Sequence, residues 1–145
     1  MKRILLVLFC TLFFGFFWAC DPNEGPPEPQ PPSAKVEITI IVNITYHGGW
    51  GLNTASILMH TQDAPITSYG GMVYFGTVGS SPSQISRKFV FEGEEAEKLI
   101  GRQAKGFNYL SFKYGWQLSG SYQFESEPFT IIEGLNPDVV ITAVQ

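Results

Sequence analysis

The sequence predicts an all-β fold, a single antiparallel β-sandwich of about seven or eight strands with one short helix near residues 94–100. Three observations predict it. Val36, Ile38, Ile40, Val42, Ile44 and Tyr46 alternate with Glu37, Thr39, Asn43 and Thr45, the period of a strand buried on one face. Further short apolar or alternating runs follow, separated by Gly, Pro, Asn and Ser at the intervals usual in sandwiches. One stretch alone, in the middle of the series, has the composition of a helix.

In chain order, the opening strand spans Val36 to Tyr46 and is stopped by His47-Gly48-Gly49. Further strands are expected at Ala55 to His60, Met72 to Val78, Ile85 to Phe91, Phe107 to Trp116, Leu118 to Phe124, Phe129 to Glu133 and Val139 to Val144. The exception, Glu94-Glu95-Ala96-Glu97-Lys98-Leu99-Ile100, has acids at its start and Gly101 just past its end, the polarity of a helix. So short a helix has no stability of its own, so Leu99 and Ile100 are expected to pack onto the sheets. Ala34 to Gln145 make one domain of ordinary size, about 110 residues.

What precedes that domain divides in two. Residues 1–19 open with Lys2 and Arg3 and continue as an almost unbroken apolar run from Ile4 to Ala19, short for a bilayer span but suited to a signal peptide. The run ends at Phe17-Trp18-Ala19-Cys20, a small residue directly before a cysteine, where the sequence turns polar. This resembles the lipobox of bacterial lipoproteins, although the family prefers Leu and a small residue where Phe17 and Trp18 stand. The resemblance implies lipidation of Cys20 and a domain held at the cell envelope, with the outer membrane preferred over the inner. A retained amino-terminal anchor with an incidental cysteine is the alternative, and it too leaves the domain outside the cytoplasm. Residues 20–33, the cysteine and then DPNEGPPEPQPPS, hold six of the ten prolines and no large apolar side chain. Such a stretch is an extended stalk, reaching up to roughly 40 Å at about 3.1 Å per residue.

Within the domain, the order of Phe89-Val90-Phe91, the helical Glu94–Ile100 and the strand Phe107 to Tyr114 resembles the carboxypeptidase-regulatory, transthyretin-like (prealbumin-type) sandwich. The closing Pro128 to Gly134 and Val139 to Val144 resemble that group's final hairpin, with a glycine turn between paired strands. An immunoglobulin-like sandwich reads much the same, and the group's Thr-Asp-x-x-Gly-x-Tyr segment is missing. The resemblance implies a non-enzymatic accessory domain of a secreted or envelope protein. Fold by itself does not settle function.

The chemistry narrows by exclusion. Cys10 lies in the apolar run and Cys20 is the modified residue, so the mature domain has neither thiol nor disulfide. Removing residues 1–19 leaves seven basic against thirteen acidic residues, a net charge of −6, which argues against nucleic acid as a partner. No Gly-x-Ser-x-Gly elbow, His-Glu-x-x-His helix or phosphate loop occurs, and Gly79-Ser80-Ser81 before Pro82 reads as a turn. His47 and His60, with Asp63, would approach a zinc site only if the first two strands paired antiparallel; His60 is expected to face solvent instead. Neither a metal nor a cofactor is expected. Glu94, Glu95 and Glu97, and Glu125 and Glu127, read as a helix start and a solvated strand edge rather than as facing carboxylates. Asn43-Ile44-Thr45 matches a glycosylation pattern but lies inside a strand.

The aromatics carry what functional signal there is. Trp50 lies in Gly48-Gly49-Trp50-Gly51, and Trp116 follows Tyr114-Gly115, both at strand ends. With Tyr46 and Tyr114 they are the candidate binding residues, able to stack on a sugar or anchor a protein, or else to cap the core. The expected role is a non-catalytic envelope lipoprotein that binds a protein partner or adds structure to a cell-surface assembly. A glycan-binding module using these aromatics is the alternative.

The mature chain is expected to begin at Cys20 and to carry acyl chains there. Intact-mass measurement of the membrane-extracted protein checks this, and either retention of residues 1–19 or an unmodified Cys20 overturns it.

Overall fold

The computed structural model describes residues 33–45, 50–63, 65–76, 82–115 and 117–144. Residues 1–32, including Cys20 and the proline-rich segment, lie outside the described residues, as do Tyr46, His47 and Trp116. The domain from Ser33 to Gln145 is a unit of its own. Its strands are β1 (Lys35–Thr45), β2 (Gly51–Thr61), β3 (Ser68–Phe75), β4 (Gln84–Glu92), β5 (Gln103–Tyr114), β6 (Gln117–Glu125), β7 (Phe129–Thr130), β8 (Gly134–Leu135) and β9 (Val139–Val144). A single helix among the described residues, α1 (Glu94–Leu99), joins β4 to β5.

The strands form two sheets. Sheet A has β1 at its centre, with β4 antiparallel on one side and β8 and β9 on the other. Sheet B runs β3-β2-β5-β6, with β7 continuing the β6 edge along β5. The two sheets enclose one core. From β1 it takes Val36, Ile38, Ile40 and Val42, all with no exposed surface, and from β2 Ala55, Ile57 and Met59. Leu110 and Phe112 of β5 and Ile141 of β9 complete it. The alternation that predicted β1 is therefore the alternation of core and outer face, and the all-β sandwich expected from the sequence is the fold observed.

Two features set how closely the layers approach. Gly106 of β5 faces Ile40 and Ile141, and a β-carbon there would lie 3.1 Å from the Ile40 Cδ1. Its missing side chain is thus filled by the opposite sheet. Between β6 and β7, where the edge is interrupted, Ser126 keeps the β5 backbone paired. Its N–H donates to the Gly106 carbonyl at 2.9 Å, and its hydroxyl accepts from the Gly106 N–H at 2.9 Å. A buried edge break without such partners would leave costly orphan groups.

The helix follows Gly93, which offers no side-chain cap, so the acids Glu94, Glu95 and Glu97 in the first turn are what complement the free N–H groups. It buries Ala96 and Leu99, and Ile100 packs partly against the same core.

The end of the chain departs from expectation. Phe129 to Glu133 and Val139 to Val144 do not form a hairpin. β7 pairs with β5 in sheet B, whereas β9 runs parallel to β1 in sheet A, with Ile40 opposite Val139 and Thr45 opposite Val144. The segment between them crosses from one sheet to the other, which is why the seventh strand stops after Thr130. Ile131, fully buried, anchors the crossing. Asn136, 3% exposed, organises it: its side-chain oxygen accepts from the Ile132 N–H at 2.9 Å. Its amide donates to the carbonyls of Ile132 at 2.9 Å and Glu37 at 3.2 Å. Gly134, which the sequence suggests as a hairpin turn, instead opens β8 against Val36.

On the outer face of sheet A, Glu37 accepts from Lys88 at 2.6 Å and Lys35 at 2.9 Å. These two ammonium groups, Lys88 first, lower its pKa from 4.5 to about 2. A lowered folded-state value means stability present above pH 4.5 and lost as pH falls towards 2. Glu37→Gln is therefore expected to flatten the acid limb of stability in that window. Urea-denaturation midpoints across it check this, and added salt is expected to shrink the difference.

Candidate functional site

The connectivity sorts the domain into two ends. Ser33 enters beside the start of β1, where Lys35 faces Glu92, and α1 and the crossover segment share that end. At the other end β1, β3 and β5 finish and β2, β4 and β6 begin. An eleven-residue strand separates them by roughly 35 Å.

Trp50 and Tyr114 meet at the far end. Gly51, which opens β2, is paired with Lys113 of β5, so the residues flanking that pair are brought together. Their ring centroids are 5.4 Å apart and the planes are tilted by 51°. Trp50 is half-buried against the core, whereas Tyr114 is 54% exposed. The chain then turns at Gly115, whose φ of 57° is a conformation open to glycine at little cost. Of the four candidate aromatics, the fold brings Trp50 and Tyr114 side by side, and the other two, Tyr46 and Trp116, are outside the described residues.

A second cluster escaped the sequence reading. The outward face of sheet B carries Met72 and Phe75 of β3, 59% and 69% exposed, and Tyr109 of β5, 39% exposed. Half-buried Leu58 of β2 and Phe107 of β5 continue it. Strict alternation would put Met72 and Tyr74 on one face. A register shift between Ala55 and Ser56 intervenes: Met72 lies opposite Ser56, and Tyr74 lies opposite Ala55. The bulge sends Tyr74 inward to the core and leaves Met72 and Phe75 outside. Asn108, fully buried in β5, donates to the Ser56 carbonyl at 3.1 Å and supports the irregular stretch.

His60 does not face solvent freely. Its ring packs on Phe107 at 4.4 Å, and its Nε2 is buried with no hydrogen-bond partner among the described residues. The antiparallel pairing of the first two strands that a zinc site required is not formed, because β1 and β2 belong to different sheets. Among the described residues, no cluster of three or more His, Cys, Asp or Glu side chains has metal-site geometry. Glu94 pairs with Lys98 along the helix at 3.4 Å, and Glu125 with Lys105 at 3.0 Å. These exposed contacts are those of solvated surfaces. A recess of about 290 Å³ lies between residues 126–130 and 136–140 and is bordered by Glu127, Pro128, Pro137 and Asp138.

Compared with protein-family models, curated proteins and solved structures, the chain matches none.

Trp50→Ala is expected to cost about 2 kcal/mol, since the ring is half-buried against the core, and Tyr114→Ala less than about 1 kcal/mol. Urea denaturation of both variants checks this. An unchanged midpoint for Trp50→Ala would release that side chain from a core-capping role.

Proposed function

We propose that the domain is a non-catalytic protein-binding module of a lipid-anchored envelope lipoprotein, docking its partner on the outward face of sheet B. The observation that carries this reading is the apolar surface of Met72, Phe75 and Tyr109, continued by Leu58 and Phe107, beside the edge strand β3. Exposed apolar side chains scattered singly are ordinary, but several adjoining on one sheet face mark interaction surfaces. A flat apolar patch next to a sheet edge suits a protein partner, which can cover the side chains and meet the strand edge together. Phe75 stands at the end of the domain away from Ser33. The acidic balance of the chain favours a partner other than nucleic acid.

Glycan binding at the far end is the second reading, supported by the contact between Trp50 and Tyr114. Their tilt and the partial burial of Trp50 make a narrow ledge rather than a flat stacking platform, so this reading ranks below the first.

Cross-linking of the tethered protein in intact cells, followed by mass spectrometry, tests the choice. One dominant envelope partner is expected, lost in Met72→Lys/Phe75→Lys and retained in Trp50→Ala. No specific partner, together with glycan quenching of tryptophan fluorescence that Trp50→Ala abolishes, would overturn the first reading in favour of the second.

A further inference from the structure

Each sheet of an open sandwich has edges, and three of the four here are visibly blunted. β4 carries Arg87, Lys88 and Glu92; β3 contains Gly70-Gly71 and a register shift; β6 holds Gly120 and Glu125 and breaks before β7. Charges, glycines and bulges are the devices by which natural sheets avoid pairing edge to edge. The fourth edge has none of them. β9 reads Val139-Val140-Ile141-Thr142-Ala143-Val144, with no charge, glycine, proline or bulge, and it pairs only with β1 among the described residues. Its inner face approaches β5 and β6 of the other sheet, with Ile141 against Gly106, and Val139 and Val140 border the recess lined by residues 127–130.

From Val140 to Val144 the outer face around this edge is also uncharged, the nearest acids, Glu127 and Asp138, lying at the recess beside Val139. Outward-facing Val140 and Val144 are 52% and 55% exposed. Their β1 neighbours are Ile41 and Thr45, with Asn43 beside Thr142, and across β1 lie Ser86 and Gln84. The charged ladder of Lys35, Glu37, Lys88 and Glu92 is confined to the other half of the sheet. The net acidic charge of the chain opposes association of copies elsewhere, but not along this strip.

We propose that β9 is a self-pairing edge, joining a second copy of this chain antiparallel about a two-fold axis at Thr142 and merging the two A sheets. The choice of a second copy rests on the strand being its own complement. In that register Thr142 faces Thr142, Val140 faces Val144, and Ile141 faces Ala143, so each outward-facing pair matches in polarity and each inward-facing pair is apolar. Every charged residue of sheet A stays away from the axis. The two Ser33 entry points then lie at opposite extremities of the pair, about 65 Å apart along the strands. This surface is separate from the apolar face of sheet B, so the inference stands independently of the partner proposed there.

Single cysteines in the detergent-solubilised full chain test the register, with the unsubstituted chain as the control for bonds through Cys10 or Cys20. Under mild oxidation, Thr142→Cys is expected to run as a disulfide-linked dimer on a non-reducing gel. Val140→Cys is not, because the two copies of residue 140 would lie about 13 Å apart, beyond disulfide reach. Mixing Val140→Cys with Val144→Cys is expected to restore the cross-link. Thr142 is exposed, so Thr142→Lys is expected to keep the circular dichroism of the parent while turning a dimer into a monomer in sedimentation. Equal cross-linking of Thr142→Cys and Val140→Cys, or a monomeric parent at the highest soluble concentration with no Thr142→Cys dimer, would overturn the proposal. So would a different protein cross-linked to Thr142→Cys in cells without any homodimer, which would make the edge a site for a foreign strand. None of these results depends on Met72 or Phe75, so this proposal and the docking surface on sheet B can fail separately.

Discussion

Everything in this domain is arranged around the need to satisfy β1 on both sides. Its inward residues from Val36 to Val42 are fully buried and its backbone lies at the centre of sheet A, so an unpaired edge there would leave a row of polar groups without water. β4 fills one side by antiparallel pairing over nine residue pairs. The other side waits for the last segment of the chain, which arrives parallel as β8 and β9. The first and last strands of the domain therefore hold each other. Pairing so distant in sequence closes a long loop before any contact rewards it.

The crossover that brings β9 into place has its own logic. A chain leaving sheet B for sheet A must pass through the layer between them, where backbone groups have no ladder. Ile131 supplies the apolar contact and Asn136 the hydrogen bonds, with one side chain satisfying both faces of the turn and the edge of β1. Ser126 plays the equivalent part at the interruption of the β6 edge. Polar residues are buried at these two breaks because the backbone needs partners there; Asn136 and Ser126 belong to the architecture rather than to a chemical site.

Surfaces then follow from topology. The helix and the crossover crowd the end where Ser33 enters, and the aromatic pair of Trp50 and Tyr114 closes the other. Sheet A separates its outer face into a charged half and a neutral half, and sheet B exposes Met72, Phe75 and Tyr109 on its outer face. The two proposed interaction surfaces, the apolar face of sheet B and the β9 edge, suit the proposed assembly role better than a pocket-based activity.

The periodic elements are legible in the amino-acid order alone. The β1 alternation, the helix at Glu94, the strand ending in Tyr114 and the closing Val139 to Val144 were all legible, because each is set by local spacing of apolar residues or by helix polarity. The strand-end position of Trp50 is legible from its flanking glycines, whereas its contact with Tyr114 is not. Which sheet each strand joins is set by long-range packing. Local pattern is the same for a hairpin and for a crossover, so the parallel docking of β9 on β1 could not be read from residues 129–144. Nor could the apolar face of sheet B, since a one-residue bulge reverses the faces of Met72 and Tyr74 and leaves no mark in their spacing. Periodicity reports which side of a strand is apolar; whether that side is covered depends on neighbours that come from elsewhere in the chain.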